Sequence, residues 1–445
     1  MNKINVGNDL YLKGRIGWRG LSKEEYLEYS DYRIINATSL EDNFIDWNSC
    51  GYISKVRYEE SPEIQLKEND ILISKDGTLG KIGYVKHLEK PSTVASGIFV
   101  LRNTCKEILN NNYLYHFLKS KIFKDFIFRN KALGSTINHL YQRDLEELEI
   151  ELPNLITQNK VANILSSLDS KIEINKKIIE QLEYLTKTIY NYWFLQFEFP
   201  DKNGKPYKSS GGKMVWNKEL KRDIPVNWVV DKIDNIIPVK DGTHDSPKAQ
   251  EIGFPLITSK HLLECGIDFE NANLISEDDY IAVNKRSKVE TGDILFSMIG
   301  TVGTVYKVEE KDINFAIKNV ALYKTSQKEE YKNYIYMYLK SWYMKVYMSN
   351  VLSGSIQKFI GLGHLRNMPL IISDTYIRKF EQTTKNLFEQ INNLKIQNQE
   401  LTKLRDWLLP MLFNGQVIFK TEDDTKEKYF DVERVAETSS EYGEG

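Results

Sequence analysis

Hydroxyls and ammonium groups arranged along a glycine turn are suited to holding phosphate. Such a turn occurs here in NDILISKDGTLG, residues 69–80, where Ser74, Lys75 and Thr78 are followed at once by Lys81. The stretch returns as GDILFSMIGTVG, residues 292–303, with Ser297 and Thr301 kept but Met298 and Thr304 in place of the lysines. Two readings are open: phosphate contact, or a turn that both copies need because glycine supplies positive φ. Either way the repeated residues are framework, and the residues that differ between copies are the candidates for reading a ligand.

Reading base edges asks for Arg, Lys, Asn, Gln or Ser on loops that a groove can approach. In the first half, KGRIGWRG at residues 13–20 gathers Lys13, Arg15, Trp18 and Arg19; the alternative is a solvated basic loop with Trp18 in the core. In the second half, KDGTHDSPK at 240–248 offers Thr243, His244 and Ser246, and TSKH at 258–261 offers Ser259, Lys260 and His261. Near the end of each half, GSTINH and GSIQK place Asn138, His139, Gln357 and Lys358 after a Gly-Ser pair. Amides there suit adenine, and the serines equally suit helix caps.

Catalysis is not expected of this chain. No second histidine stands at metal-ligand spacing from His244, and the chain has no GxGxxG, no GxxxxGK and no Asn-Pro-Pro-aromatic tetrapeptide. Pro200, Asp201 and the Glu219–Lys221 triplet imitate a metal-dependent nuclease motif, but they fall in a Gly, Ser and Lys-rich stretch rather than on core strands. Cys50, Cys105 and Cys265 are too scattered for a disulfide framework or a zinc site. The start, MNKINVGNDL, lacks a signal-peptide apolar run and no segment approaches the roughly 20 apolar residues of a membrane helix, so a cytoplasmic protein is expected. Net charge is -2, but residues 421–445 hold nine acidic and three basic residues, and the remainder is mildly basic. That balance permits nucleic-acid binding without arguing for it.

The candidate loops belong to a chain written twice. YRIINATSL (32–40) matches FPLITSKHL (254–262), IDWNSCGYIS (45–54) matches IDFENANLIS (267–276), and residues 134–148 match 354–368, all at offsets close to 222. Each copy alternates short branched or aromatic runs with Gly, Asn and Asp, the pattern of a small strand-rich domain. Each is followed by a heptad seam. Over 157–193 it runs through Leu165, Leu168, Ile172, Ile179, Leu182 and Ile189, with Asn175 and Thr186 as polar members. Over 375–412 it runs through Phe380, Leu387, Ile391, Leu394, Leu401 and Leu408, interrupted by Thr384, Asn398 and Arg405. Two helices of about 55 Å are expected, forming an antiparallel coiled coil with Asn175 facing Asn398, Ile172 opposite Leu401, Ile179 opposite Leu394 and Leu182 opposite Ile391. Two solvent-exposed amides at the seam's edge are the alternative to that pin.

At this point a resemblance enters. The stretch from ANILSSLDSKIEINKK through KELKRDIP, and NQELTKLRDWLLPMLFNGQV, resemble the central and distal conserved regions of specificity subunits of type I restriction and modification systems; DGTHDSP and the paired GT.G segments resemble their target-recognition domains. The resemblance implies an α+β fold, a pseudo-two-fold tandem repeat of two small strand-rich α/β target-recognition domains separated by two long helices. The divisions expected are a first target-recognition domain over 1–151, a long helix over 152–197, a linker over 198–223, a second target-recognition domain over 224–372, a second long helix over 373–415 and an acidic tail over 416–445. It implies a non-catalytic reader of a bipartite sequence in double-stranded DNA that docks two methyltransferase subunits and, through them, restriction subunits. S-adenosylmethionine, ATP and Mg2+ are then expected in the partners. The second copy opens with a full lead-in, IPVNWVVDKIDNIIPVKDGT, whereas the first starts almost at Met1, so the first domain's amino-terminal edge strand is expected to be short or missing. A coiled-coil scaffold whose heads bind protein is the alternative reading.

Overall fold

The stretch that repeats forms the central strand of each copy. In a computed structural model describing residues 2–16, 20–40, 45–130, 139–263, 266–352 and 358–417, Ile71–Ser74 and Ile294–Ser297 are buried at all four positions. Alternate residues point to opposite faces of a strand, and here both faces are covered. Ile71 and Ile73 enter one apolar cluster and Leu72 another; Ile294 and Phe296 enter one and Leu295 another. The run of apolar residues is continuous for that reason.

The chain divides into two units, Met1–Ile174 with Gln399–Gly445, and Asn175–Asn398. In the first, Tyr11–Gly14, Ile98–Arg102, Ile71–Ser74 and Ile82–Tyr84 lie side by side in that order, all antiparallel. A second sheet orders Gly51–Ile53, Tyr32–Ile35 and Ser92–Val94, its last pair parallel. Helices Asn111–Lys119, Lys121–Asn130 and Gln142–Glu146 follow.

The second unit repeats each part. Its four strands are Val239–Asp241, Val320–Tyr323, Ile294–Ser297 and Val305–Lys307, and its three are Asn273–Ile275, Phe254–Ile257 and Ala316–Ile317, again with a parallel last pair. Helices Lys332–Lys340, Trp342–Val351 and Leu362–Arg366 complete it.

The edge strand expected to be short or missing is present. Asn2–Asn5 pairs antiparallel with Glu149–Leu152, just as Val229–Lys232 pairs with Pro369–Ile372. Four residues suffice because only Ile4 has to reach the core.

The two long helices are Leu155–Tyr190, 36 residues, and Asp374–Phe413, 40 residues. Within the second unit they run antiparallel: Asn175 Nδ2 donates to Gln397 Oε1 at 2.7 Å and Asn398 Oδ1 at 2.9 Å, while Glu183 meets Lys395 at 2.9 Å. Ile179, Leu182, Ile391 and Leu394 share that unit's core. Asn175 is fully buried and its Oδ1 has no hydrogen-bond partner, so one amide sits inside the seam at some cost to stability. In the first unit, Leu165 and Leu412 enter one cluster with Leu408 against it, and Arg405 Nη1 meets Asp169 Oδ1 at 3.0 Å. Leu168 and Leu401 are half-buried and Ile172 is buried.

Residues 198–223, expected as a linker, are folded. Met214–Asn217 pairs with Arg222–Pro225, and Phe199 stacks on both Tyr207 and Trp228. Asp201 Oδ1 accepts from the backbone N–H of Asn203 and Lys205, so the carboxylate of the apparent nuclease motif caps its own turn.

Candidate nucleic-acid interface

The glycine turn is built identically in both units. Ser74 Oγ donates to the Thr78 carbonyl at 2.6 Å and accepts from Lys81 N–H at 2.8 Å; Ser297 Oγ donates to the Thr301 carbonyl at 2.5 Å and accepts from Thr304 N–H at 2.8 Å. Gly77, Gly80, Gly300 and Gly303 have φ between 70° and 101°, where an L side chain is strained. The aspartate that opens each motif is equally buried. Asp70 pairs with Arg102 on the neighbouring strand, and Asp293 with Lys324 at 2.5 Å. Both also cap the preceding turn, Asp70 through Lys67 N–H and Asp293 through Glu290 N–H, each at 2.8 Å.

Around this shared frame the units differ. In the first, the turn exposes Asp76, which pairs with His139 Nδ1 from the end of the domain, and His139 packs edge-on against Tyr141. Lys75 lies over the Phe99 ring at 4.8 Å, and burial holds its ammonium below the ordinary lysine range. Lys81 Nζ donates to the Leu40 carbonyl. In the second, Ile299 and Phe359 form the bridge that Asp76 and His139 form in the first. The polar groups come instead from the loop after Val239–Asp241 and from Lys318 and Asn319, which precede Val320–Tyr323: His244 Nε2 meets Asp241 Oδ2 at 2.9 Å, His244 Nδ1 meets Asn319 Oδ1 at 2.7 Å, and Lys318 Nζ donates to Ser246 Oγ at 2.5 Å.

A duplicated head with one frame and two different surfaces is the architecture with which known proteins can be compared. Residues 17–184 match the family model described as the type I restriction modification DNA specificity domain. The MjaIX type I specificity subunit of Methanocaldococcus jannaschii is 29% identical over 80% of this chain and 81% of its own length. The EcoKI specificity subunit of Escherichia coli is 21% identical over 89% and 85%. The crystal structure of the type I system S subunit from M. genitalium superposes with a TM-score of 0.57 at 21% identity, covering 94% of this chain and 96% of that one. Residues 17–184 thus carry a type I restriction modification DNA specificity domain, and over most of its length the chain resembles type I specificity subunits.

The candidate residues divide by what holds them. Arg15 is 3% exposed, its guanidinium donating to the Val94 carbonyl at 3.0 Å and to the Ser61 and Thr93 hydroxyls, so it ties strands together. Ser74 and Ser297 are fully buried staples, and Ser259 fixes backbone by donating to the Asn319 carbonyl and accepting from Met298 N–H. His261 caps its own 3-10 turn by accepting from Thr258 N–H at 3.0 Å, and burial lowers its pKa. Lys13, Thr78, His244, Ser246, Lys260, Thr301 and Lys358 stay exposed; Lys75, Lys81, His139 and Thr243 are half-buried. Trp18, Arg19, Asn138 and Gln357 lie outside the described residues.

Sequence reading missed Asp76, Arg286, Lys318 and Asn319. Asn319 takes φ 53°, a conformation Asn adopts more readily than most residues, and KN at 318–319 was the available signal. Arg286 had none, because its partner Asp241 is 45 residues away. Among the described residues, no three or more His, Cys, Asp or Glu gather to hold a metal ion, and no helix is long and apolar enough to cross a membrane.

Proposed function

We propose that this chain is the DNA-reading subunit of a type I restriction–modification complex, that each head reads one half of a bipartite target, and that the chain is not itself catalytic. The long helices dock two methyltransferase subunits, and restriction subunits join through these; S-adenosylmethionine, ATP and Mg2+ act in the partners. The observation that carries this reading is the repetition of one fold, with one stapled turn, beneath two unlike sets of exposed polar side chains. A frame kept twice and a surface changed twice is what two half-sites of different sequence require.

The helices support the docking part. Their paired seams leave apolar side chains exposed: Ile164, Ile174, Leu404 and Trp407 in the first unit, and Ile178, Tyr184, Leu185 and Ile396 in the second. Exposed apolar stripes of this kind mark protein contact. Binding by the chain assembled with its methyltransferase partner, followed by titrating salt, tests the reading. Affinity for DNA falls steeply as salt rises and one sequence is preferred by three or more orders of magnitude over random DNA, by general magnitudes for specific binders. Salt-insensitive association with no sequence preference contradicts it.

A further inference from the structure

The repeated frame buries Asp70 and Asp293, and a further buried carboxylate in the second head lies outside that frame. Asp241, the last residue of Val239–Asp241, has a side chain only 4% exposed; its Oδ1 receives Arg286 Nη2 and its Oδ2 meets His244 Nε2. Asn319 holds the other imidazole nitrogen at 2.7 Å. The loop is pressed into place here, since a Cβ on Gly242 would stand 2.3 Å from the Ile317 carbonyl. A buried carboxylate needs its oxygens paired. In the frame, the partners are less exposed: Lys324 beside Asp293 is 4% exposed and Arg102 beside Asp70 is 21% exposed. Arg286 is the reverse, with 58% of its side chain exposed.

Among the described residues the first head has no counterpart. Strand register aligns Asp241, opposite Ala321 and thence Phe296, with Gly14, opposite Phe99 and thence Ile73. The helix that carries Arg286, Glu277–Ser287, is capped by Ser276; its equivalent, capped by Ser54, spans only Lys55–Glu59. Both members of the pair are therefore particular to the second head, which is where a specificity determinant is expected and a framework pair is not.

We infer that Arg286 reads a guanine in the half-site of the second head, its guanidinium aimed by Asp241 and flanked by His244. This rests on the DNA-reading function proposed above. The chemistry follows from the donor set: an arginine held by one Nη2 bond keeps further N–H donors on an exposed fork, and such a fork matches guanine O6 and N7. Asp241 is a positioning residue that fixes the plane of the fork, so Asp241→Asn, which weakens the hold, should loosen discrimination at the same base pair.

The test is methylation-sensitive long-read sequencing of a host co-expressing the chain with its methyltransferase partner, for the unaltered chain, Arg286→Ala, Arg286→Lys and Asp241→Asn. The unaltered chain gives a two-part motif; if it gives none, the DNA-reading function itself fails. Arg286→Ala relaxes one G·C position of one half-site, by roughly ten- to a hundredfold in selectivity, and leaves the other half unchanged, which also serves as the folding control. Arg286→Lys, which keeps the charge and loses the fork, relaxes the same position. An unchanged motif in both variants overturns the inference. So does an even loss of methylation at all sites that Lys restores, because that is a phosphate contact. If Arg286→Ala abolishes methylation altogether, the motif of Arg286→Lys decides: relaxed at one position supports the inference, unchanged refutes it.

Discussion

Asp293 shows how a residue that looks like part of a binding motif serves the fold. It is fully buried, paired with a lysine nearly as buried, and bonded to the turn at Glu290 and to Ser326 N–H. Removing one member of such a pair leaves the other charge unpaired. Asp293→Ala should therefore lower the stability of the second unit by about 3–5 kcal/mol in urea unfolding, without altering any base preference in material that remains folded. In the first unit, His116 is buried beside Lys119, Asp169 and the Ser166 hydroxyl, and burial foremost holds its pKa down to about 3. Burial opposes ionisation of Asp169, but Lys119 and Arg405 outweigh it and keep that carboxyl below its usual range. An unfolded histidine takes up its proton near pH 6.5, so between about pH 6.5 and pH 3 the unfolded chain binds a proton that folded His116 refuses. Stability should fall as pH falls through that window, and His116→Gln should flatten the slope; equal acid slopes in the two proteins would count against it. At this scale the sequence was legible only for local bonds. The Ser, Gly, Thr and Gly of the turn lie within seven residues of one another, whereas Asp241 with Arg286 and Asp169 with Arg405 are brought together by tertiary contacts.

At the scale of elements, periodicity did most of the work. The heptad seam located both long helices and placed Asn175 beside Asn398, because burying one face of a helix forces a 3.5-residue repeat that no loop would keep. The first edge strand escaped notice for the opposite reason. NKIN buries one side chain, so four residues carry no alternation to detect, and only pairing with Glu149–Leu152 defines the strand. The Gly and Ser content of residues 198–223 likewise hid a hairpin whose Met214, Leu220 and Ile224 join Phe199, Tyr207 and Trp228 in one apolar core. Leu182 sits inside the first long helix against the second unit's core. Leu182→Pro removes a helical hydrogen bond and should cost about 3 kcal/mol or more, seen as lost helicity by circular dichroism together with release of the methyltransferase partner in size-exclusion chromatography. Retained helicity and retained partner would contradict the pairing.

For the whole molecule, the consequence of duplication is modularity. In both heads the first strand pairs with the last in a separate two-stranded sheet, so each domain begins and ends at one place in its fold and can be exchanged without cutting a core strand. The central claim, that each head independently reads half of one target, is met most directly by replacing residues 1–151 with the corresponding head of a relative of different specificity and sequencing the methylated motif of the host genome. The account predicts a motif in which one half changes and the other, with its methylated base, stays the same. A motif altered in both halves, or unaltered in either, would contradict it.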